Sequence, residues 1–216
     1  MIKRELHGRE VSERLVSAGL EITPTQMERL TDFLWLLNRW NQTHNLTGIR
    51  STDQMITRHL LESLALRPLL SGQRIADVGT GAGLPGLPLS IVEEGKEFTL
   101  IESRAKRTRF LRHVQSTLQL TNVSVKNCRV EDLPTRQPFD TVLARAVAAA
   151  PDLIVLAGHL LDIDSKLFIL TSTRQAKESL GKLSAEFSAR CIEVPRQDLI
   201  SGSVMLVQRA GKEGTS

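Results

Sequence analysis

The sequence predicts a doubly wound α/β fold with a mostly parallel sheet, preceded by a helical segment and closed by an antiparallel C-terminal strand. Three observations carry this. From Arg74 onward, short continuous apolar runs alternate with segments of helical periodicity, as in a parallel sheet covered on both faces. The turn after the first run is IADVGTGAGLPG, with glycines at 79, 81, 83 and 86. Near the end, two further strand-like runs are joined by a Gly/Ser turn with no helix between them, which requires at least one antiparallel strand.

The first seventy residues read as helical. In PTQMERLTDFLWLLNRWN, Leu30, Phe33, Leu34, Leu37 and Trp40 recur at helical spacing, and Thr23-Pro24 suits a cap followed by proline in the first turn. A polar turn, NQTHNLTGIR, leads to a second helix over residues 51 to 69, where Ser51 and Gln54 have capping-box spacing and Pro68 marks the end. Strands follow at RIADV, EFTLIE, VSVKNC, FDTVLAR and KLFILT, with helices at 84 to 93, 104 to 119, 148 to 161 and 174 to 189. The tail reads CIEVPR, then the turn DLISGS, then VMLVQRA. The expected organisation is a helical segment 1–70, an α/β domain 71–210 and a disordered tail 211–216.

Composition bounds the function. The 216 residues are 41% hydrophobic and 24% charged, enough for one sizeable core. No apolar run approaches the roughly 18 residues of a membrane span, and MIKRELHGRE lacks the apolar core of a signal peptide. A cytoplasmic protein is expected, without membrane contact. The two cysteines, Cys128 and Cys191, lie outside any C-x-x-C and read as core thiols. His59 has no second ligand at usable spacing, so no metal is expected. A net charge of +4 tolerates an anionic partner, while the absence of tyrosine and 4% aromatic content argue against a broad base-stacking platform.

Gly81, Gly83 and Gly86 fit the G-x-G-x-x-G spacing of dinucleotide sites. In an open α/β sheet such a loop lies at the carboxyl ends of the strands, where it accepts either a pyrophosphate or an amino-acid carboxylate. Glu102, at the end of the second strand, suits a ribose in both NAD and S-adenosylmethionine sites. Asp77, two residues before Gly79, suits an ammonium or sulfonium better than a pyrophosphate, and the antiparallel tail is shared by methyltransferases. A nicotinamide- or flavin-dependent oxidoreductase remains the alternative on these residues.

The segments NLTGIR, RHLLESLAL, DVGTGAGLPGLPLSIV, IESRAKRTRFL, RVEDL and FDTVLARAVA, in this order, resemble the bacterial 16S rRNA guanine-N7 methyltransferase family, also called glucose-inhibited division protein B. The resemblance covers residues 41 to 150 in motif. It implies a Rossmann-like class I methyltransferase fold, S-adenosyl-L-methionine as methyl donor, and N7 of a guanine in the 530 loop of 16S rRNA, nucleotide 527, as acceptor. It also implies that Gly79, Gly81 and Leu84 line the donor, that Glu102 holds its ribose, and that Val130 and Glu131 flank its adenine. Arg145 belongs to the same site, and Asn45, Thr47, Arg58 and His59 lie beside the catalytic mouth, with Arg58 and His59 the better RNA contacts. The partner the resemblance implies is 16S rRNA or the small ribosomal subunit, and a monomer is expected. Two departures stand out: Glu62 where the family has Asp, and Thr171-Ser172-Thr173 where it has Lys.

The implied chemistry suits these residues. Guanine N7 carries a free lone pair, so alignment matters more than proton removal and no acid–base residue is needed. The (D/N)PP(Y/F) turn of amino methylation is absent, and neither cysteine lies in a Pro-Cys context suited to pyrimidine carbon methylation. Arg145 suits guanine O6, a phosphate or the donor carboxylate, because donating to N7 would occupy the attacking lone pair. Arg104, Lys106, Arg107, Arg109 and Arg112 share one helix, whose buried side is marked by Phe110, Leu111 and Val114 and whose charged face reads as solvated, with partial contact to RNA phosphate as the alternative.

Overall fold

The computed structural model describes residues 2–134, 136–145, 149–180 and 182–210, with backbone only for residues 2–7. Helix α1 (Ile2–Ser17) packs on α2 (Pro24–His44). At the start of α2, the Thr23 hydroxyl accepts from the Gln26 N–H at 3.3 Å and the Gln26 side chain accepts from the Thr23 N–H at 3.1 Å. This reciprocal capping box satisfies two donors that the helix leaves open. The apolar stripe is buried as its spacing predicts, and Trp40 meets Phe110 with ring centroids 5.5 Å apart.

The second helical segment departs from expectation. Ser51 makes no side-chain cap, and the chain runs through α3 (Thr52–Met55), a π-helical turn Ile56–Leu61, α4 (Glu62–Leu64) and a 3₁₀ turn Arg67–Leu69. The π turn accommodates one extra residue, and it lies in a buried stretch where His59, Glu62 and Ser63 need polar partners among apolar neighbours. Pro68, lacking an N–H, favours the short 3₁₀ ending.

Among the described residues, seven strands then form one sheet: β1 (Arg74–Val78), β2 (Glu97–Ile101), β3 (Val123–Lys126), β4 (Thr141–Arg145), β5 (Lys166–Thr171), β6 (Phe187–Ile192) and β7 (Ser203–Arg209). Their order is β3-β2-β1-β4-β5-β7-β6. β1 to β5 pair in parallel, and β7 runs antiparallel to both β5 and β6. Helices α5 (Gly86–Val92), α6 (Ala105–Thr117), α7 (Ala150–Ala157) and α8 (Thr173–Leu180) intervene. The expected helix over 174 to 189 therefore stops at Leu180. From Phe187 the residues alternate, half-buried Phe187 and Ala189 against exposed Ser188 and Arg190, and this period of two is satisfied by pairing with β7.

Two apolar clusters fill the two faces. One joins Phe33, Leu37 and Phe110 to Leu100, Leu143 and Phe168; the other joins Leu153 and Ala157 to Ala76, Val142 and Ile169. The cysteines are not core thiols: Cys191 is exposed on the edge strand β6, and Cys128 is half-buried beyond the end of β3. The disordered tail expected over 211–216 lies outside the described residues. Among the described residues, no helix is long and apolar enough to cross a membrane.

Candidate active site

Strand register gathers the site. Val78 pairs with Ile101 and Ala144, Ile101 with Lys126, and Arg145 with Leu170, so Gly79, Glu102 and Arg145 lie along the carboxyl rim of the sheet. Strand order reverses between β1 and β4, which is where open α/β sheets place their ligands.

The glycine loop is folded tightly against β1. Gly83 has φ +85°, and a Cβ there would lie 2.2 Å from a Leu87 methyl. At Gly86 a Cβ would lie 2.4 Å from Leu100 and 2.6 Å from the Asp77 carboxylate. Gly86 lets α5 approach the sheet more closely than any side chain permits, and Gly83 lets the loop close onto Leu87 of α5. Beneath them, Asp77 is fully buried; its Oδ2 accepts from the Thr80 hydroxyl at 2.6 Å and the Gly86 N–H at 2.7 Å. Its Oδ1 is buried without a hydrogen-bond partner among the described residues. Burial pushes the Asp77 carboxyl up to about 7, against the opposing pull of the Thr80 and Gly86 bonds and the Arg145 charge.

Glu102 forms the other side. Its Oε2 accepts from the Gly81 N–H at 3.1 Å and faces Arg107 at 3.5 Å, while Oε1 accepts from the Arg104 N–H at 2.8 Å. Two carboxylates thus take loop and helix-entry N–H groups that a pyrophosphate would use, and both repel an anion. A cavity of about 160 Å³ opens beside Glu102, walled by Gly79, Val130 and Glu131 over an apolar floor of Val78, Ile101 and Leu156. A slot with an apolar floor and two acids at its rim, Glu102 and Glu131, suits the flat base and ribose of an adenosine. The buried, unpartnered Asp77 oxygen behind the loop favours a cationic group nearby. The residues present therefore fit S-adenosylmethionine.

Of the residues the sequence singles out, Gly79, Glu102, Val130 and Glu131 share this cavity. Gly81 borders it through its bond to Glu102, and Leu84 is buried in the core cluster of the α2 face. Arg145 faces a different cavity of about 170 Å³, with Arg58, Glu62, Thr171, Ser172, Gln175 and the loop Ser201–Ser203. Its guanidinium donates to the Arg58 carbonyl at 2.7 Å and pairs with Glu62 at 3.1 Å. Burial lowers its pKa, and the Glu62 charge opposes that fall. Asn45 is the left-handed C-cap of α2 (φ 48°) and accepts from Arg50 at 3.4 Å. The Thr47 hydroxyl lies 3.1 Å from His59 Nε2. His59 is 3% exposed, its Nδ1 has no partner among the described residues, and burial first, then the Arg145 charge, lowers its pKa to about 4.

Sequence reasoning passed over two parts of the site. Ser201 reads as an ordinary turn residue, yet its N–H and hydroxyl both donate to Glu62. Glu62 itself is noticed only as a departure from the family pattern, with no sign of its partners. Among the described residues, no group of three or more His, Cys, Asp or Glu side chains is placed to hold a metal ion.

A family model described as rRNA small subunit methyltransferase G matches residues 26–196. A ribosomal RNA small subunit methyltransferase G from Salmonella arizonae is 38% identical over 198 residues, 92% of this chain and 95% of that protein. The protein of the same description from Pectobacterium atrosepticum is 47% identical over 146 residues, 68% of this chain and 71% of its own. Among solved structures, a methyltransferase from Geobacter sulfurreducens aligns with TM-score 0.58 at 14% identity, covering 83% of this chain and 90% of that one. The O-methyltransferase TomG from Streptomyces achromogenes, in complex with S-adenosylmethionine, aligns with TM-score 0.55 at 17% identity over the same shares. These two share the fold.

Proposed function

Because this chain belongs to the rRNA small subunit methyltransferase G family, we propose that it methylates N7 of a guanine in the 530 loop of 16S rRNA, nucleotide 527, using S-adenosyl-L-methionine. Family membership makes it a methyltransferase and sets aside the oxidoreductase alternative. The observation that best supports the donor is the pair of carboxylates, Asp77 and Glu102, that occupy the N–H groups of the glycine loop. They disfavour a pyrophosphate and favour a ligand with a positive centre.

In this reading Glu102 holds the ribose hydroxyls, Val130 and Glu131 flank the adenine, and Gly79, Gly81 and Leu84 shape the amino-acid end. When bound, the donor supplies a methyl group on a sulfonium, activated for attack. The chain supplies alignment: the N7 lone pair needs no proton removed, so no general base is required. Asp77 is sealed behind the loop by Thr80 and Gly86 and does not meet the acceptor. Arg145 positions the acceptor side and leaves N7 free. Asn45 and Arg58 offer exposed surface to the RNA, while Thr47 and His59 brace that corner through their mutual contact. The helical segment 1–70 and the methyltransferase domain 71–210 act as one unit on the small subunit, as a monomer.

Mapping N7-methylguanine by chemical cleavage in 16S rRNA, from cells with and without the protein, tests the acceptor. A single cleavage at nucleotide 527 that depends on the protein is expected; methylation elsewhere overturns the assignment. Equilibrium binding tests the donor, with tight S-adenosylhomocysteine and no NAD(H) binding expected.

A further inference from the structure

We propose that Glu62 is a positioning residue for the acceptor side of the site, fixing Arg58 and Arg145 to the loop between the last two strands. The proposal rests on the methyltransferase reading above. Glu62 is 3% exposed, yet the four bonds it accepts come from three separate parts of the chain. Oε1 takes Arg58 Nε at 2.9 Å, the Ser201 N–H at 3.1 Å and the Ser201 hydroxyl; Oε2 takes Arg145 Nη2 at 3.1 Å. The helical turn, the end of β4 and the β6–β7 loop therefore meet at one carboxylate. Arg145 is held twice by the same turn, since its Nη1 also donates to the Arg58 carbonyl at 2.7 Å.

One negative charge here serves two guanidinium groups, so the cluster stays net positive. That excess faces the cavity shared by Arg58, Arg145, Thr171, Ser172, Gln175 and Ser203. Arg58 is the free arm: its side chain is 46% exposed, and among the described residues only its Nε is engaged. A cation aimed by a buried carboxylate into a wall of hydroxyls and an amide suits the phosphate or base edge of an RNA nucleotide. The adenosine-shaped cavity contains none of these residues. Glu62 thus acts on the acceptor and leaves donor binding alone. Without its charge, the two guanidinium groups repel each other and Arg145 loses one of its two anchors.

The test uses the full chain, with S-adenosylhomocysteine titration counting folded sites and labelled methyl transfer to 30S particles measuring turnover. Wild-type transfer to the particles establishes the underlying reading; its absence sinks that reading before any variant is compared. Glu62→Gln is expected to lower kcat/KM for 30S by about tenfold or more per folded site, with S-adenosylhomocysteine affinity within about threefold of wild type. Glu62→Asp, the residue the family resemblance places here, is expected to recover most of that loss. Wild-type turnover in Glu62→Gln overturns the proposal, and so does a parallel loss of S-adenosylhomocysteine affinity. Should Glu62→Gln not fold, Ser201→Ala decides: a fall of about threefold in kcat/KM with unchanged S-adenosylhomocysteine binding supports the role, and no fall refutes it.

Discussion

Arg145 is anchored by a carboxylate on one nitrogen and a carbonyl on another, which fixes its plane at the sheet rim. Arg145→Ala is expected to lower methyl transfer by about tenfold or more, because the acceptor loses its aligned partner; near-normal turnover with an intact fold would count against that role. Two buried titratable groups predict a pH signature. The Asp77 pKa rises from 3.8 to about 7 on folding, so its contribution is complete below its unfolded value and lost as pH climbs through the folded one. The His59 pKa falls from 6.5 to about 4, so its contribution is present above its unfolded value and lost as pH drops toward the folded one. Between about pH 4 and 6.5 the two slopes oppose each other and largely cancel. Asp77→Asn is expected to uncover stability that rises with pH, and His59→Gln stability that falls, each by up to about 1.4 kcal/mol per pH unit. Urea midpoints across that window check this, and identical slopes in both variants contradict it. Of these residues, the position of Asp77 beside the loop was legible from spacing. The burial of His59 was not, because a histidine beside Arg58 in a helix expected over residues 51 to 69 carries no mark of the π turn that encloses it.

At the scale of elements, the loop and α5 form a single close-packed joint. Gly83→Ala places a Cβ against Leu87 at a positive φ, so it is expected to destabilise the fold by about 1–3 kcal/mol and weaken S-adenosylhomocysteine binding. Thermal melting with and without ligand measures both; an unchanged variant argues against a rigid joint. β1 to β5 were legible because continuous apolar runs bounded by turns have few alternative homes. The stretch after Leu180 differs from the expected helix, since its polar residues suit a solvent-facing helix as well as an edge strand. What decides between them is the partner β7, which lies farther along the chain. The same distance hides the Glu62–Ser201 contact, 139 residues apart, from any local pattern.

For the molecule as a whole, the N-terminal helices and the sheet share one apolar cluster that runs from Val11 and Leu15 to Val204 and Leu206. Leu15→Ala is therefore expected to cost about 2–5 kcal/mol in a single cooperative urea transition. A separate early transition would mean that the helices unfold independently. The sheet order carries one more consequence. β7 is the last of the described strands along the chain, yet it lies inside the sheet, between β5 and β6. Until Ser203–Arg209 leave the ribosome, one edge of β5 and the whole of β6 lack their neighbour, and exposed strand edges invite aggregation. A nonsense codon or a protease cut just before Ser203 removes an interior strand rather than a fringe. Truncation after Gly202 is expected to give insoluble protein, which fractionation of lysates will show.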